Sequence, residues 1–262
     1  MAINPNNPFY LKKAATAVLG MKNKKRALSY FARAYALNQQ IVISDYCKLL
    51  LEEGQYFTAD TILNIALSKD PEQTKLLNLR ATLNYRQNCF DEALEDLLQL
   101  QSLADTSVFV TRMLGYVYYQ KSDWQQLIKI FLPLVEKDAE RAENTHYYLA
   151  VAYKKLNDYP NAIQHYKKAI AEGISPELGT YYQNLGEIYQ LDGQSKEAFH
   201  AFSMANEFMQ DGKTLFYLAQ YAEINEKNKS KALELYKSYL VSNDSTFRKS
   251  VEDRIKYLEI KK

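Results

Sequence analysis

A small residue recurs about every 34 positions along this chain, at Ala15, Cys47, Ala81, Gly115, Ala150, Gly186 and Ala219. The gaps are 32, 34, 34, 35, 36 and 33. Twelve residues after most of these comes a second small residue, at Ala27, Ala59, Ala93, Ala162 and Ala198. A sustained period of roughly 20–50 residues marks stacked repeats rather than a single central core. In such an array each unit leans only on its neighbours. The 262 residues are therefore read as one elongated array.

The fifth unit shows what is being repeated. Leu149, Ala152, Tyr153 and Leu156 fall at three- and four-residue spacing, the apolar stripe of an amphipathic helix. Asn157 and Asp158 break that pattern, and Pro160 suits the first turn of a following helix. A second stripe then runs through Tyr159, Ala162, Ile163, Tyr166, Ala169 and Ile170. The unit is predicted to be two antiparallel helices joined by a tight turn. Small residues at positions such as Gly186 and Ala198 let paired helices approach closely, while Tyr189 and Phe202 fill the space between units.

Leu185-Gly186, Tyr189, Ala198, Phe202 and Ala205 follow one pattern, as do Leu114-Gly115, Tyr118, Trp124 and Phe131. Tyr56, Ala59, Leu63, Ala66 and Asp70-Pro71 repeat its second half. In these residues the chain resembles the tetratricopeptide repeat family. The resemblance implies an all-α, right-handed superhelical solenoid of about seven helical hairpins. The units are expected at 8–38, 39–72, 73–106, 107–141, 142–177, 178–211 and 212–241, after an N-terminal segment 1–7. Residues 242–262 form the expected capping helix: Asn243-Asp244-Ser245 offers a cap, and Phe247, Val251, Ile255 and Leu258 share one apolar face. A solenoid needs such a helix to cover its last unit, so the array is expected to end here. The first helix, near Phe9–Leu19, has no comparable cover.

Three departures stand out. Arg80 and Asn84 replace apolar residues in the third unit, where looser packing is expected, and Leu127 replaces Ala in the fourth. The seventh unit carries an extra residue before Ala232, which predicts a longer turn near Asn228.

Family members resembling this chain line an inner groove with the first helix of each unit. The carried-over positions include Lys12 with Thr16, Ser44 with Lys48, and Asn78 with Thr82. These do not assemble the lysine and asparagine clamp by which some members grip acidic chaperone tails. The middle of the groove instead collects Tyr85, Arg86, Arg112, Tyr116, Tyr119, Tyr147 and Lys154, joined by Asn78, Gln183 and Glu187. Aromatic and arginine side chains carry much of the energy at protein interfaces. Packing is the competing explanation for Tyr85 and Tyr119, since the family often has tyrosine there.

Catalysis is not expected. His146, His165 and His200 have no second histidine or glutamate at metal spacing along the chain, and no nucleophile motif adjoins them. Asp91, Glu92, Glu95 and Asp96 read as the solvated face of a second helix. With eight glycines in all and no glycine-rich loop, no phosphate cradle is present in the sequence, and no cofactor is implied. Cys47 and Cys89 fit neither a disulfide framework nor a zinc cluster.

The resemblance thus implies a non-enzymatic scaffold or adaptor holding a peptide segment or partner protein, with no small-molecule substrate. An alternative is an assembly factor docking through its basic first hairpin to an acidic partner or surface, or self-association through that hairpin: residues 1–50 carry eight bases against Asp45 alone. The overall charge of +2, and acids such as Glu187 and Glu223 in the expected groove, disfavour nucleic acid. No run of eighteen apolar residues predicts a transmembrane helix. The compartment stays open, cytoplasmic by default and periplasmic or exported if a signal peptide once preceded residue 1.

Overall fold

The computed structural model describes residues 6–137, 142–173, 176–209 and 211–260. Residues 1–5 of the expected N-terminal segment, 138–141 at the expected border of the fourth unit, and 261–262 at the end of the expected cap lie outside them. Every regular element among the described residues is an α-helix. The chain divides into two compact units, Met1–Ser122 and Asp123–Lys262.

The first unit holds α1 (Pro8–Gly20), α2 (Lys24–Leu37), α3 (Gln39–Glu52), α4 (Tyr56–Lys69), α5 (Thr74–Arg86), α6 (Phe90–Ser102) and α7 (Val108–Gln120). The second holds α8 (Trp124–Lys137), α9 (Ala142–Lys155), α10 (Tyr159–Glu172), α11 (Leu178–Leu191), α12 (Ser195–Phe208), α13 (Gly212–Ile224), α14 (Lys229–Val241) and α15 (Arg248–Ile260).

The periodic small residues have a single physical job. All seven of the first series and all five of the second are buried. Gly186 shows why. A Cβ built there would lie 2.8 Å from the ring of Phe202 on the paired helix α12. In the second unit that contact belongs to a core of Ala150, Ala162, Tyr166, Tyr181, Ile188 and Phe202. At the start of the chain Leu11, Ala15, Ala27, Phe31 and Val42 make the corresponding core from α1, α2 and α3.

A second periodicity appears in the turns. Lys22, Gly54, Asn88, Ser122, Asn157, Gly193 and Lys227 all have positive φ, each in the tight turn after a first helix. The left-handed residue lets the chain reverse while its neighbour reaches back over five residues, as in Gln194 N–H to Tyr189 O at 2.8 Å and Cys89 N–H to Asn84 O at 2.8 Å. Glycine does this without steric cost at Gly54 and Gly193, and asparagine tolerates it at Asn88 and Asn157. The turn at 225–228 is one residue longer than its counterparts, as its sequence predicts.

The last helix covers the array's end in the expected way. Val251, Ile255 and Leu258 of α15 are buried with Phe216, Tyr236 and Tyr239, and Phe247 stacks on Phe216 at 4.1 Å. Arg254 Nε donates to Glu223 at 2.9 Å, pinning α15 to α13.

The loose packing expected near Arg80 is not found. Arg80 reaches from α5 to Asp96 on α6 with a two-pronged contact, Nε at 3.0 Å and Nη2 at 2.6 Å, and its Nη1 donates to Asn64 at 3.1 Å. Asp96 is 2% exposed, so the acidic run 91–96 is not wholly a solvated face. An ion pair has replaced two apolar side chains in one slot. Removing one member of such a pair strands the other charge without a partner. Arg80→Ala is therefore expected to lower unfolding stability by about 3 kcal/mol in urea denaturation, whereas an Arg80→Leu/Asp96→Leu double variant recovers most of the loss. Equal losses in both would contradict the pairing.

Candidate functional site

The first helices α5 and α7 carry the first unit's share of the expected binding residues. Arg112 and Tyr116 lie one turn apart on α7, and Tyr85 comes from α5. Burial raises the Tyr116 hydroxyl above its ordinary value, opposed by the charge of Arg112 and assisted by Tyr85, so the three side chains are neighbours. Tyr85 packs edge-on against Phe90 at 5.7 Å, and Tyr85 and Tyr119 are both half-buried. Arg86 is exposed, with Nη1 donating to Leu51 O at 2.7 Å. Asn78 bonds through its side chain to Asp105, while its Oδ1 is buried without a partner among the described residues.

In the second unit Lys154 and Glu187 engage one another, and the other expected residues engage neighbouring side chains. Glu187 on α11 takes Lys154 of α9 at 2.7 Å and Lys213 of α13 at 2.5 Å. Burial works to raise the Glu187 carboxyl, but the two lysine contacts outweigh it and hold it below the usual carboxylate value. Gln183 donates to Thr214 Oγ1 at 2.9 Å and also to Asp211. Tyr147 stacks on Tyr181 at 5.0 Å. Leu51 at the end of α3 and Phe216 on α13 are buried in packing.

Sequence spacing missed one polar pair. His146 on α9 and His165 on α10 are both buried, with their Nδ1 atoms 2.8 Å apart. One ring must donate and the other accept, so the pair is satisfied when both are neutral. His165 stacks on Tyr153 at 5.5 Å, and Glu172 Oε1 lies 3.6 Å from His146 Nε2. Nineteen residues separate the two histidines, beyond any metal-ligand spacing along one helix. No group of three or more His, Cys, Asp or Glu among the described residues converges as a metal site.

The known proteins most useful for comparison share this architecture. A tetratricopeptide repeat profile matches residues 144–172, the same fifth unit. A structure from Cytophaga hutchinsonii, the C-terminal part of a TPR repeat-containing protein, superposes with a TM-score of 0.69 at 16% identity, covering 83% of this chain and 88% of that one. In fold, and in its fifth repeat, the chain is similar to tetratricopeptide repeat proteins. Its repeats also resemble the TPR repeat-containing protein YpiA of Bacillus subtilis, at 22% identity over 245 residues, 80% of this chain. The chain spans 58% of that relative's length. YrrB, described as a TPR protein with an unusual peptide-binding site, superposes with a TM-score of 0.62 at 14% identity, covering 70% of this repeat protein and 94% of YrrB.

The histidine pair makes the stability of these repeats pH-dependent. Burial pushes both His146 and His165 down to about 4 from the ordinary 6.5, helped by Lys168 and, for His165, by His146 itself. Between those values the unfolded chain binds more protons than the folded one. Their contribution is thus complete above pH 6.5 and is lost as pH falls toward 4. A His146→Gln/His165→Gln variant should show a shallower fall of melting temperature between pH 6.5 and 4.5 than the wild type. An unchanged slope would contradict the buried neutral pair.

Proposed function

We propose that this repeat protein is a non-enzymatic scaffold holding an extended segment of another protein along the first helices of its hairpins. The observation that carries this reading is the cluster on α5 and α7, where Arg112, Tyr116 and Tyr85 are neighbours. Half-buried tyrosines give area at low entropic cost, and arginine adds a charged, forked donor. YrrB, which shares the fold, is described as having a peptide-binding site, and that supports peptide binding as the kind of role proposed.

Within the second unit, Tyr147, Lys154, Gln183 and Glu187 stand on the first helices α9 and α11 of their own hairpins. The Lys154–Glu187 ion pair and the hydrogen bond from Gln183 to Thr214 hold these side chains in place rather than as a row of loose charges. A segment bearing acidic or polar side chains with some apolar ones suits the arginine–tyrosine cluster of the first unit.

Docking through the first hairpin is the alternative. Phe9 and Tyr10 are 50% and 48% exposed on α1, with Lys13 4.6 Å from the Phe9 ring, which favours it. Against it, part of the basic charge is already spent: Lys12 pairs with Asp45 at 2.7 Å and Lys24 with Glu53 at 2.9 Å.

Arg112→Glu separates the readings. Immobilised wild-type chain should retain a partner from native extract that the variant retains at least about tenfold less, a loss equal to about 1.4 kcal/mol, with melting temperature unchanged. Equal retention by the two would refute the first-helix site. Loss on removal of residues 1–38 instead would favour the hairpin.

A further inference from the structure

Away from the first-helix cluster, α10, α11 and α12 line an open cleft of about 550 Å³. Its floor is apolar: Ile170 and Ala171 from α10, Leu185 from α11, Ala201 from α12, and the rings of Tyr182 and Tyr189. Leu185, Tyr189 and Ala201 are held almost fully buried by the core, so this hollow is already formed. The size and lining are those of a small-molecule site.

The repeat explains why the hollow exists here. Counted from the small residues, Leu185, Tyr189 and Ala201 stand where Arg80, Asn84 and Asp96 stand in the third unit. There the corresponding cleft, of about 470 Å³, has Arg80 and Asp96 clasped across it and Asp60, Glu92 and Glu95 around it. In the sixth unit the clasp is gone. A leucine and an alanine take its place, and the lining turns from polar and acidic to apolar.

The charges at the mouth turn as well. Lys167 and Lys196 line the cleft, with His200 beside them, against the single carboxylate of Glu197. Lys167 Nζ sits 5.7 Å from the Tyr189 ring. Among the described residues neither lysine is held by a carboxylate within salt-bridge distance. A cationic, donor-rich rim over an apolar floor is complementary to an anion with an apolar tail.

We propose that this cleft binds a small amphipathic carboxylate, a free unbranched fatty acid of medium chain length. The tail lies along Ile170, Leu185 and Ala201, and the carboxylate meets Lys167 and Lys196. Each buried methylene strengthens binding about fourfold at most, so chain length reads out the apolar floor and head-group charge reads out the rim.

Calorimetric titration of the full chain with octanoate, decanoate and uncharged 1-octanol, below micellar concentrations, tests this. One saturable site is expected, with decanoate about tenfold tighter than octanoate and 1-octanol at least about fivefold weaker than octanoate. Lys167→Glu/Lys196→Glu should weaken decanoate about tenfold or more, and Ala171→Trp, a substitution at an exposed position, should plug the cleft and abolish binding. Both variants should keep the wild-type circular dichroism and melting temperature. Failure of decanoate to saturate, equal binding of 1-octanol, or wild-type affinity in both variants would each overturn the assignment. So would an acidic peptide that occupies the cleft when decanoate does not. The Arg112→Glu result bears on none of these outcomes.

Discussion

Two helices in a hairpin of this chain can come together only where side chains get out of the way. That constraint, met by a small residue on each helix, underlies most of what else is built here. Gly186, facing Phe202 at a distance that leaves no room for a methyl group, is a clear instance. Once the helices are that close, the tight turn needs a left-handed residue, and one recurs in register at Lys22, Gly54, Asn88, Ser122, Asn157, Gly193 and Lys227. The first-helix face, which carries the candidate binding residues, is what remains after these contacts are made.

Inside this frame the slots that are not small are chemically free, provided they are filled or paired. The slot three residues after the second small residue holds Ile62, Asp96, His165 and Ala201, all buried. Asp96 is matched by Arg80, His165 by His146, and Ala201 is matched by nothing of comparable size, which leaves a cleft. One backbone thus tolerates an ion pair, a neutral histidine pair and an apolar hollow in equivalent places.

This also explains which parts of the fold were legible in the sequence. Close approach is a local steric demand, so Ala15 through Ala219 announce it residue by residue, and the apolar face of α15 is equally plain. The partner of a polar residue depends on how two helices are rotated against each other, which spacing along one helix does not reveal. Arg80 therefore read as a packing defect and Asp96 as part of a solvated run. His146 and His165 read as unrelated. Comparing equivalent positions across units would have flagged both pairs, because that slot faces inward in every unit where it is buried. In the candidate site the residue types Arg112, Tyr116 and Tyr85 were readable from the family register. The engagement of Glu187 with two lysines, and the burial of Leu51 and Phe216, required the structure.

The close-approach account is tested most directly by a double-mutant cycle on Gly186 and Phe202, read by urea denaturation. Alanine is intrinsically better than glycine in a helix by about 1 kcal/mol, so only the clash with the ring can make Gly186→Ala unfavourable. The account predicts that Gly186→Ala destabilises the wild-type chain but is neutral or stabilising in a Phe202→Leu background, a change of sign between the two. Additive effects, with alanine equally tolerated in both, would contradict it.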